Sequence, residues 1–130
     1  MGKIMIVDDS KMTRDFHAYI LRSAKYEVVE AFDGADAIEK LIRDNDIVCI
    51  VTDINMPIMD GLTMLKKIRS MEGYEKLPVI VITTIDRPEE RMEALKAGAS
   101  FYLNKPIKPS VLLAGVKMVL GEGLGESKGG

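Results

Sequence analysis

The chain has 130 residues, a formal net charge of −2 and a hydrophobic content of 47%, which is the size and composition of one independently folding domain. Acidic and basic residues are interspersed, so no basic surface indicates binding to nucleic acid or to an anionic membrane, and no apolar stretch reaches the roughly 20 residues of a membrane span. The start MGKIMIVDD becomes acidic too soon for a signal peptide. We therefore expect a cytoplasmic protein that neither binds nucleic acid directly nor inserts into a membrane.

Short β-branched segments alternate with helix-period segments along the chain. The sequence predicts strands over residues 3–7, 26–31, 47–52, 78–83 and 100–103, each followed by a helix, over residues 11–24, 35–43, 61–71, 88–97 and 109–120. Helix boundaries are marked by N-cap residues, first-turn prolines and a terminal glycine: Ser10, Asp33, Pro88, Pro109 and Gly98.

The fold class follows from the apolar runs IVCIV and VIVI, which are typical of strands buried on both faces of a parallel sheet. The prediction is an α/β domain over residues 1–120, a (βα)5 doubly wound sheet with helices on both sides. Residues 121–130, GEGLGESKGG, are predicted to be a flexible tail or a clipped linker. Cys49 lies in an apolar run and is expected to be a buried thiol.

Polar residues fall at the carboxyl ends of four predicted strands, the edge where open parallel sheets bind ligands. They are Asp8 and Asp9 after the first strand, Asp53 after the third, Thr83 at the end of the fourth and Lys105 after the fifth. Three carboxylates repel one another unless a cation offsets their charge, so a metal is implied. Oxygen ligands without a Cys or His partner suit a hard ion, and few protein ligands favour Mg²⁺, for which Mn²⁺ can substitute.

Asp53 is the candidate nucleophile because a carboxylate beside a bound cation can accept a phosphoryl group. Asp8 and Asp9 are then placed to hold the metal. Thr83 can donate a hydrogen bond to one phosphoryl oxygen, and Lys105 can bring positive charge to another. Each residue also has a structural alternative: the acidic pair as a helix cap, Asp53 as a turn former, Thr83 as an ordinary strand residue and Lys105 as a surface charge.

His17 has no Cys or His partner at metal-ligand spacing. It is expected to be a surface or hydrogen-bonded histidine without a functional role.

Four motifs, IVDDS, TDINMPIMDG, VITT and GASFYLNKP, resemble in order and spacing the receiver domain of two-component response regulators. The likeness covers residues 3–120. It implies a flavodoxin-like five-stranded sheet in the order 2-1-3-4-5. It also implies a signalling switch, not an enzyme that turns over an external substrate.

The resemblance further implies a role for each site residue. Asp53 would be the phosphoacceptor, and Asp8 and Asp9 would bind Mg²⁺ together with Asp53 and the backbone carbonyl of Asn55. In such domains a threonine and a lysine contact the phosphoryl group, and an aromatic residue turns inward when the threonine hydroxyl is drawn toward the phosphate. Those positions are Thr83, Lys105 and Tyr102.

The partners implied by the resemblance are a sensor histidine kinase or phosphotransfer protein, whose phosphohistidine is the donor, and an output protein. Small donors such as acetyl phosphate can often replace the phosphohistidine. The output protein would bind the face formed by the fourth helix, fifth strand and fifth helix, which shifts on phosphorylation. DDSKMTR, with Arg14 after the acidic pair, is more similar to stand-alone chemotaxis-type regulators than to transcription-factor receivers.

Two positions depart from the family pattern beside the phosphate pocket. Thr84 stands where the family usually has alanine, and Ile85 is apolar where a polar residue could guide the attacking water. A comparatively long-lived phosphoryl state is therefore predicted.

Three alternative functions remain at this point. A haloacid-dehalogenase-type phosphatase needs a second acid where this chain has Asn55. A flavodoxin needs a hydroxyl-rich phosphate loop, and the acidic DDS would repel phosphate in the absence of metal. A binding module that works without phosphorylation is disfavoured by the complete acidic set.

Overall fold

The structure, a computed structural model, describes residues 2–122. The strands are β1 (Lys3–Val7), β2 (Glu27–Ala31), β3 (Ile47–Thr52), β4 (Val79–Thr83) and β5 (Phe101–Asn104). The helices are α1 (Lys11–Ser23), α2 (Gly34–Arg43), α3 (Gly61–Ser70), α4 (Pro88–Lys96) and α5 (Pro109–Val119). All ten predicted elements are present, with ends that differ by at most one residue from those predicted.

The strands form one parallel sheet in the order β2-β1-β3-β4-β5. This confirms the doubly wound architecture and the flavodoxin-like strand order. The chain runs outward from β1 to β2 and then crosses back to β3, so the order reverses between β1 and β3. Ligands of such sheets bind at this reversal, outside the carboxyl ends of the two strands.

The register between β1 and β3 shifts by one residue near its start. Lys3 pairs with Ile47, Ile4 with Cys49, and Val7 with Thr52, so Val48 is an extra residue in β3. Such a bulge puts two residues of one strand opposite one of its neighbour. Beyond the bulge the pairing is regular to the ends of both strands.

Apolar side chains alternate between the two faces of the sheet. Met5 and Ile50 belong to a core shared with α2 and α3, whereas Ile4 and Cys49 belong to a second core shared with α1 and α5. Full burial of each large aliphatic side chain contributes roughly 1.5–3 kcal/mol. The central strands are therefore buried on both sides, as predicted, and the Cys49 thiol is buried.

The predicted boundary residues lie where the sequence placed them. Ser10 Oγ accepts a hydrogen bond from Thr13 N at 3.3 Å, and Asp33 Oδ1 accepts one from Asp36 N at 2.8 Å, so both cap helices. Pro88 and Pro109 are the first residues of α4 and α5. Gly98 follows α4 with φ +110°, a conformation that favours glycine.

The first two residues of the predicted tail close the end of α5. Gly121, with φ +75°, and Glu122 donate backbone hydrogen bonds to Met118 O at 3.2 Å and Lys117 O at 2.8 Å. These two bonds close the helix in a Schellman motif. Tyr26 Oη also donates to Glu122 Oε1 at 2.7 Å. The rest of the predicted tail, residues 123–130, lies outside the described residues.

Candidate functional site

Three carboxylates meet at the carboxyl ends of β1 and β3. Val7 pairs with Thr52, so the residues that follow them, Asp8 and Asp53, lie side by side, and Asp53 N donates to Val7 O at 3.0 Å. Asp8, Asp9 and Asp53 each offer an oxygen, and these atoms all lie within 4.8 Å of one another. Asp8 is buried, Asp53 is half-buried and Asp9 is exposed. The topology alone therefore concentrates negative charge at one point of the sheet edge.

Lys105 follows β5 and reaches this cluster from the other side. Its Nζ donates to Asp8 Oδ2 at 2.9 Å and to Asp53 Oδ2 at 3.0 Å. Burial lowers the pKa of this ammonium, but the hydrogen bonds and charges of Asp8 and Asp53 outweigh burial, so the pKa is raised above its ordinary value. Lys105 thus remains protonated at neutral pH and offsets part of the carboxylate charge.

The donor set fits a hard divalent cation. All three side chains offer carboxylate oxygens, the ligands that Mg²⁺ prefers. Within residues 2–122 the Asp9 carboxylate accepts no hydrogen bond, and neither does the backbone carbonyl of Asn55, two residues after Asp53. Two acceptors beside the cluster are therefore free for a ligand, whereas Asp8 Oδ1 and Asp53 Oδ1 already accept backbone N–H groups from Ser10 and Ile54.

Thr83 ends β4 with a fully buried side chain. Its Oγ1 accepts a hydrogen bond from Ile85 N at 3.2 Å, which leaves the hydroxyl proton free to be donated. Its carbonyl accepts from Lys105 N at 2.8 Å, which ties the ends of β4 and β5 together. The next residue, Thr84, is exposed.

Tyr102 lies in β5 with its ring buried. Its Oη donates to the carbonyl of Ile85 at 2.9 Å. Burial is the main reason that the pKa of this phenol is raised, so the hydroxyl is a donor at neutral pH. The Arg91 guanidinium lies 5.1 Å from the ring centroid. Tyr102 therefore joins the segment after β4 to α4.

Three residues near the site were not singled out in the sequence. Asn104 Nδ2 donates to Ile85 O at 3.0 Å and to Thr83 O at 3.4 Å, which fixes the path of the chain after β4. Asp60 caps α3 through Thr63 N at 2.7 Å. Gly61 follows, and a Cβ there would lie 2.1 Å from the carbonyl oxygen of Asp53. Asp60 and Gly61 could have been found in the sequence, because an Asp-Gly pair directly before a helix-period segment indicates a helix N-terminus.

Arg14 supports the site from α1. Its Nη1 donates to the carbonyl of Asp8 at 2.7 Å, and its Nε pairs with Glu30 at 3.2 Å. In the sequence Arg14 stood out only through the family resemblance. Nothing local in the sequence predicts its hydrogen bond to the backbone carbonyl of Asp8.

The expectation for His17 was wrong. The side chain is neither at the surface nor hydrogen-bonded: it is buried, and within the described residues its ring makes no hydrogen bond. Burial, together with the charge of Lys105, lowers the pKa of His17, against a smaller opposite effect from Asp8 and Asp53. The imidazole is therefore neutral at pH 7. It lies close enough to the site for the charges of Lys105, Asp8 and Asp53 to affect its pKa.

A family model and two curated proteins each match most of this chain. A family model described as the response regulator receiver domain matches residues 4–117. The chain is 40% identical over 125 residues to a chemotaxis protein CheY homolog of Campylobacter jejuni, covering 95% of this chain and 96% of that protein. It is 42% identical over 120 residues to the chemotaxis protein CheY1 of Helicobacter pylori, covering 92% and 97% of the two chains.

The fold has close solved counterparts. The chemotaxis protein CheY4 of Vibrio cholerae superposes with a TM-score of 0.86 at 35% identity, covering 92% of this chain and 98% of that one. In the described part of the chain, no helix is long and apolar enough to cross a membrane.

Proposed function

The chain belongs to the response regulator receiver family, and we propose that it is a phosphorylation-activated switch in which Asp53 accepts the phosphoryl group. Proteins of this family are signalling proteins, not turnover enzymes. The observation that carries the proposal is the carboxylate cluster with Lys105 Nζ bound between Asp8 and Asp53, at 2.9 and 3.0 Å. A half-buried lysine held by two acids, beside acceptors that receive no hydrogen bond, is suited to phosphoryl transfer.

The transfer step uses one carboxylate oxygen of Asp53 as the nucleophile. This oxygen forms a bond to the phosphorus of a phosphohistidine while the P–N bond breaks and the donor imidazole nitrogen keeps the electron pair. The Lys105 ammonium and the Thr83 hydroxyl donate to phosphoryl oxygens and hold them in place. Asp53 N, bonded to Val7 O at 3.0 Å, keeps the nucleophile fixed relative to the sheet.

Mg²⁺ is the proposed cofactor, with Mn²⁺ able to replace it. Asp8, Asp9, Asp53 and the carbonyl of Asn55 would hold the ion. When bound, it supplies positive charge that offsets the repulsion between the carboxylates and the incoming phosphoryl oxygens. Asp9 is exposed and unpaired among the described residues, so it can turn toward the ion without breaking a contact.

The decisive experiment is intact-mass analysis after incubation with Mg²⁺ and acetyl phosphate. We expect a gain of one phosphoryl group that EDTA prevents and that Asp53→Asn abolishes. Asp44→Asn is the matched control, because it removes a carboxylate at the opposite end of the sheet, where Asp44 pairs with Lys3 at 2.9 Å. Absence of any gain, both with acetyl phosphate and with a cognate phosphohistidine protein, would refute the proposal.

The switch is proposed to run from Thr83 to α4 through a continuous set of contacts. Thr83 Oγ1 accepts from Ile85 N, Ile85 O accepts from Tyr102 Oη, and the ring of Tyr102 faces Arg91 of α4. If the Thr83 hydroxyl is drawn toward a phosphoryl group, the Ile85 contacts change with it. The two states of this segment would then bias the position of α4.

α4 is suited to such movement because it is weakly anchored. Ala94 is its one buried residue, and Met92 is 56% exposed. Few buried apolar contacts are typical of segments with low local stability. The face formed by α4, β5 and α5 is therefore the proposed docking site for an output protein.

The coupling can be tested by recording backbone amide shifts before and after phosphorylation. In the unsubstituted chain, residues of α4 should shift on phosphorylation. Thr83→Val should accept the phosphoryl group but show much smaller shifts in α4, whereas Thr84→Val, an adjacent exposed control, should behave like the unsubstituted chain. Equal α4 shifts in Thr83→Val would contradict the proposed route.

The proposed biological setting is a cytoplasmic two-component pathway. A sensor histidine kinase or phosphotransfer protein would supply the phosphoryl group. The Campylobacter, Helicobacter and Vibrio relatives are chemotaxis proteins by name, and we extend that setting to this chain. Residues 1–120 are proposed to be the receiver domain.

The phosphoryl group is proposed to be comparatively long-lived. Ile85 has both its backbone N–H and its carbonyl engaged, with Thr83 and Tyr102, and its side chain has no polar atom to orient water. Thr84 adds bulk beside the pocket. Ile85→Asn should shorten the half-life of the phosphorylated protein in a dephosphorylation assay. A half-life of seconds in the unsubstituted chain would contradict the proposal.

A further inference from the structure

His17 is a buried polar side chain that the proposed function does not use. It lies on the inner face of α1 with 4% of its surface exposed, and it makes no hydrogen bond to any group within residues 2–122. An unsatisfied buried polar group disfavours the folded state by a factor of roughly 10. Ala18 and Leu21 of the same helix are buried and apolar, whereas Thr13, one turn earlier, is half-buried. The position would therefore be filled more favourably by an aliphatic residue unless the imidazole gains a partner in another state.

The ring borders a cavity of about 520 Å³ between α1 and the segment that follows β5. Its walls are mostly apolar, formed by Met12, Phe16, Pro106 and Ile107, and its polar lining residues are His17, Lys105, Thr13 and Thr84. A neutral imidazole has one nitrogen that accepts a hydrogen bond. The lowered pKa of His17, caused by burial and by the charge of Lys105, keeps that nitrogen free of a proton.

The Lys105 ammonium requires a hydrogen-bond acceptor in every state of the site. Its side chain is only 15% exposed, and two of its three N–H donors are bound by Asp8 and Asp53. Those carboxylates are also the proposed Mg²⁺ ligands. An ammonium released from them in a buried place must find another acceptor, because a desolvated and unpaired charge is strongly unfavourable.

We propose that His17 is a positioning residue for Lys105, whose ammonium it accepts as a hydrogen-bond partner when Asp8 and Asp53 turn to Mg²⁺. This inference rests on the proposed function. It explains why a polar side chain occupies a buried position of α1 beside a largely apolar cavity. By lowering the cost of releasing Lys105, His17 strengthens metal binding without contacting the metal.

The test is a Mg²⁺ titration of the phosphate-free protein, followed by the backbone amide shift of Asp53. His17→Leu should weaken Mg²⁺ binding at least about 10-fold, the effect of one hydrogen bond to a charged group. His17→Gln, which keeps an acceptor, should bind within about 2-fold of the unsubstituted chain, since its amide oxygen can replace the ring nitrogen. Phe16→Leu is the matched control, because it changes the wall of the same cavity without removing a polar atom, and it should leave the affinity unchanged.

A double-mutant cycle separates this role from a general effect on packing. Lys105→Met should tighten Mg²⁺ binding by itself, because no ammonium competes for the carboxylates. In that background His17→Leu should have no further effect on the affinity. Thermal unfolding of metal-free His17→Leu should show a midpoint equal to or above that of the unsubstituted chain, since an unsatisfied group has been removed.

Equal Mg²⁺ affinity in His17→Leu and the unsubstituted chain would overturn this inference and leave the proposed function intact. The inference would also be overturned if neither His17→Gln nor His17→Asn restores the affinity, or if His17→Leu remains equally damaging beside Lys105→Met. Failure of the unsubstituted chain to bind Mg²⁺ at all would overturn the proposed function and this inference together.

Discussion

Replacing Gly61 with alanine should destabilise the protein through the backbone of the phosphoacceptor. A Cβ at this position would lie 2.1 Å from the carbonyl oxygen of Asp53 and 3.0 Å from its carbonyl carbon and from the Cα of Ile54. These are backbone atoms, so no rotation of a side chain can relieve the overlap. Gly61 N also donates to Ile54 O at 2.8 Å, and the same displacement would weaken that bond.

The expected loss can be assembled from two contributions. Overpacking against a fixed backbone costs about 1–3 kcal/mol, and a weakened hydrogen bond adds about 1 kcal/mol. The free energy of unfolding of Gly61→Ala should therefore fall by about 3 kcal/mol, and the unfolding midpoint by roughly 10 °C. The displaced Asp53 should also accept a phosphoryl group from acetyl phosphate more slowly.

Gly115 in α5 provides a matched control because it undergoes the same chemical change. Its nearest neighbours, on the side chains of Ile80, Leu103 and Phe101, would lie 3.6 to 3.9 Å from a new Cβ, which is ordinary contact. Gly115→Ala should stabilise the protein by about 1 kcal/mol, since alanine loses less backbone entropy in a helix. Urea unfolding followed by circular dichroism measures both variants. A Gly61→Ala variant as stable as the unsubstituted chain would refute the reasoning.

Three further predictions concern single side chains. Tyr102→Phe removes the 2.9 Å hydrogen bond to Ile85 O and should lower the free energy of unfolding by about 1 kcal/mol, whereas no loss in urea unfolding would show that this bond contributes nothing. The pKa of Asp44 is lowered, mainly by its hydrogen bond from Lys3. The ionised carboxylate therefore stabilises the folded protein above the unfolded-state pKa, and this stabilisation is lost as the pH falls through the folded-state pKa. The stability difference between the unsubstituted chain and Asp44→Asn should vanish in strong acid, and a difference that stays constant with pH would contradict this. Burial raises the pKa of the Cys49 thiol to about 12, so a disulfide reagent at pH 8 should modify it only after unfolding in guanidinium, and rapid labelling of the folded protein would show that the thiol is accessible.

The sequence was sufficient to predict the architecture because its local signals agree with one another. Continuous apolar runs marked the central strands, and caps such as Ser10 and Asp33 marked helix starts. The convergence of Asp8, Asp53 and Lys105 followed from a topological rule: residues after parallel strands meet at one edge of the sheet. No pairwise distance had to be known.

The remaining features depend on contacts between segments that are distant in the sequence. Nothing local shows that Asn104 bridges the carbonyls of Thr83 and Ile85, or that α3 approaches the backbone of Asp53 so closely that position 61 must lack a side chain. The burial of His17 was missed for the same reason, since its unusual environment is created by the segment after β5. His17 precedes Ile20 and Leu21 by three and four residues, but this spacing does not show which polar group lies opposite the ring.

The bulge in β3 determines which residues become chemical neighbours at the other end of the strand. If the pairing that starts with Lys3 and Ile47 continued without the bulge, Val48 would pair with Ile4, Val7 would lie opposite Val51, and Asp8 would face Thr52 instead of Asp53. The hydrophobicity of the strand would hardly change, yet the two acids would lie out of step, with their side chains directed toward opposite faces. The bulge at Val48, at the far end of the strand, therefore sets the register in which Asp8 and Asp53 meet.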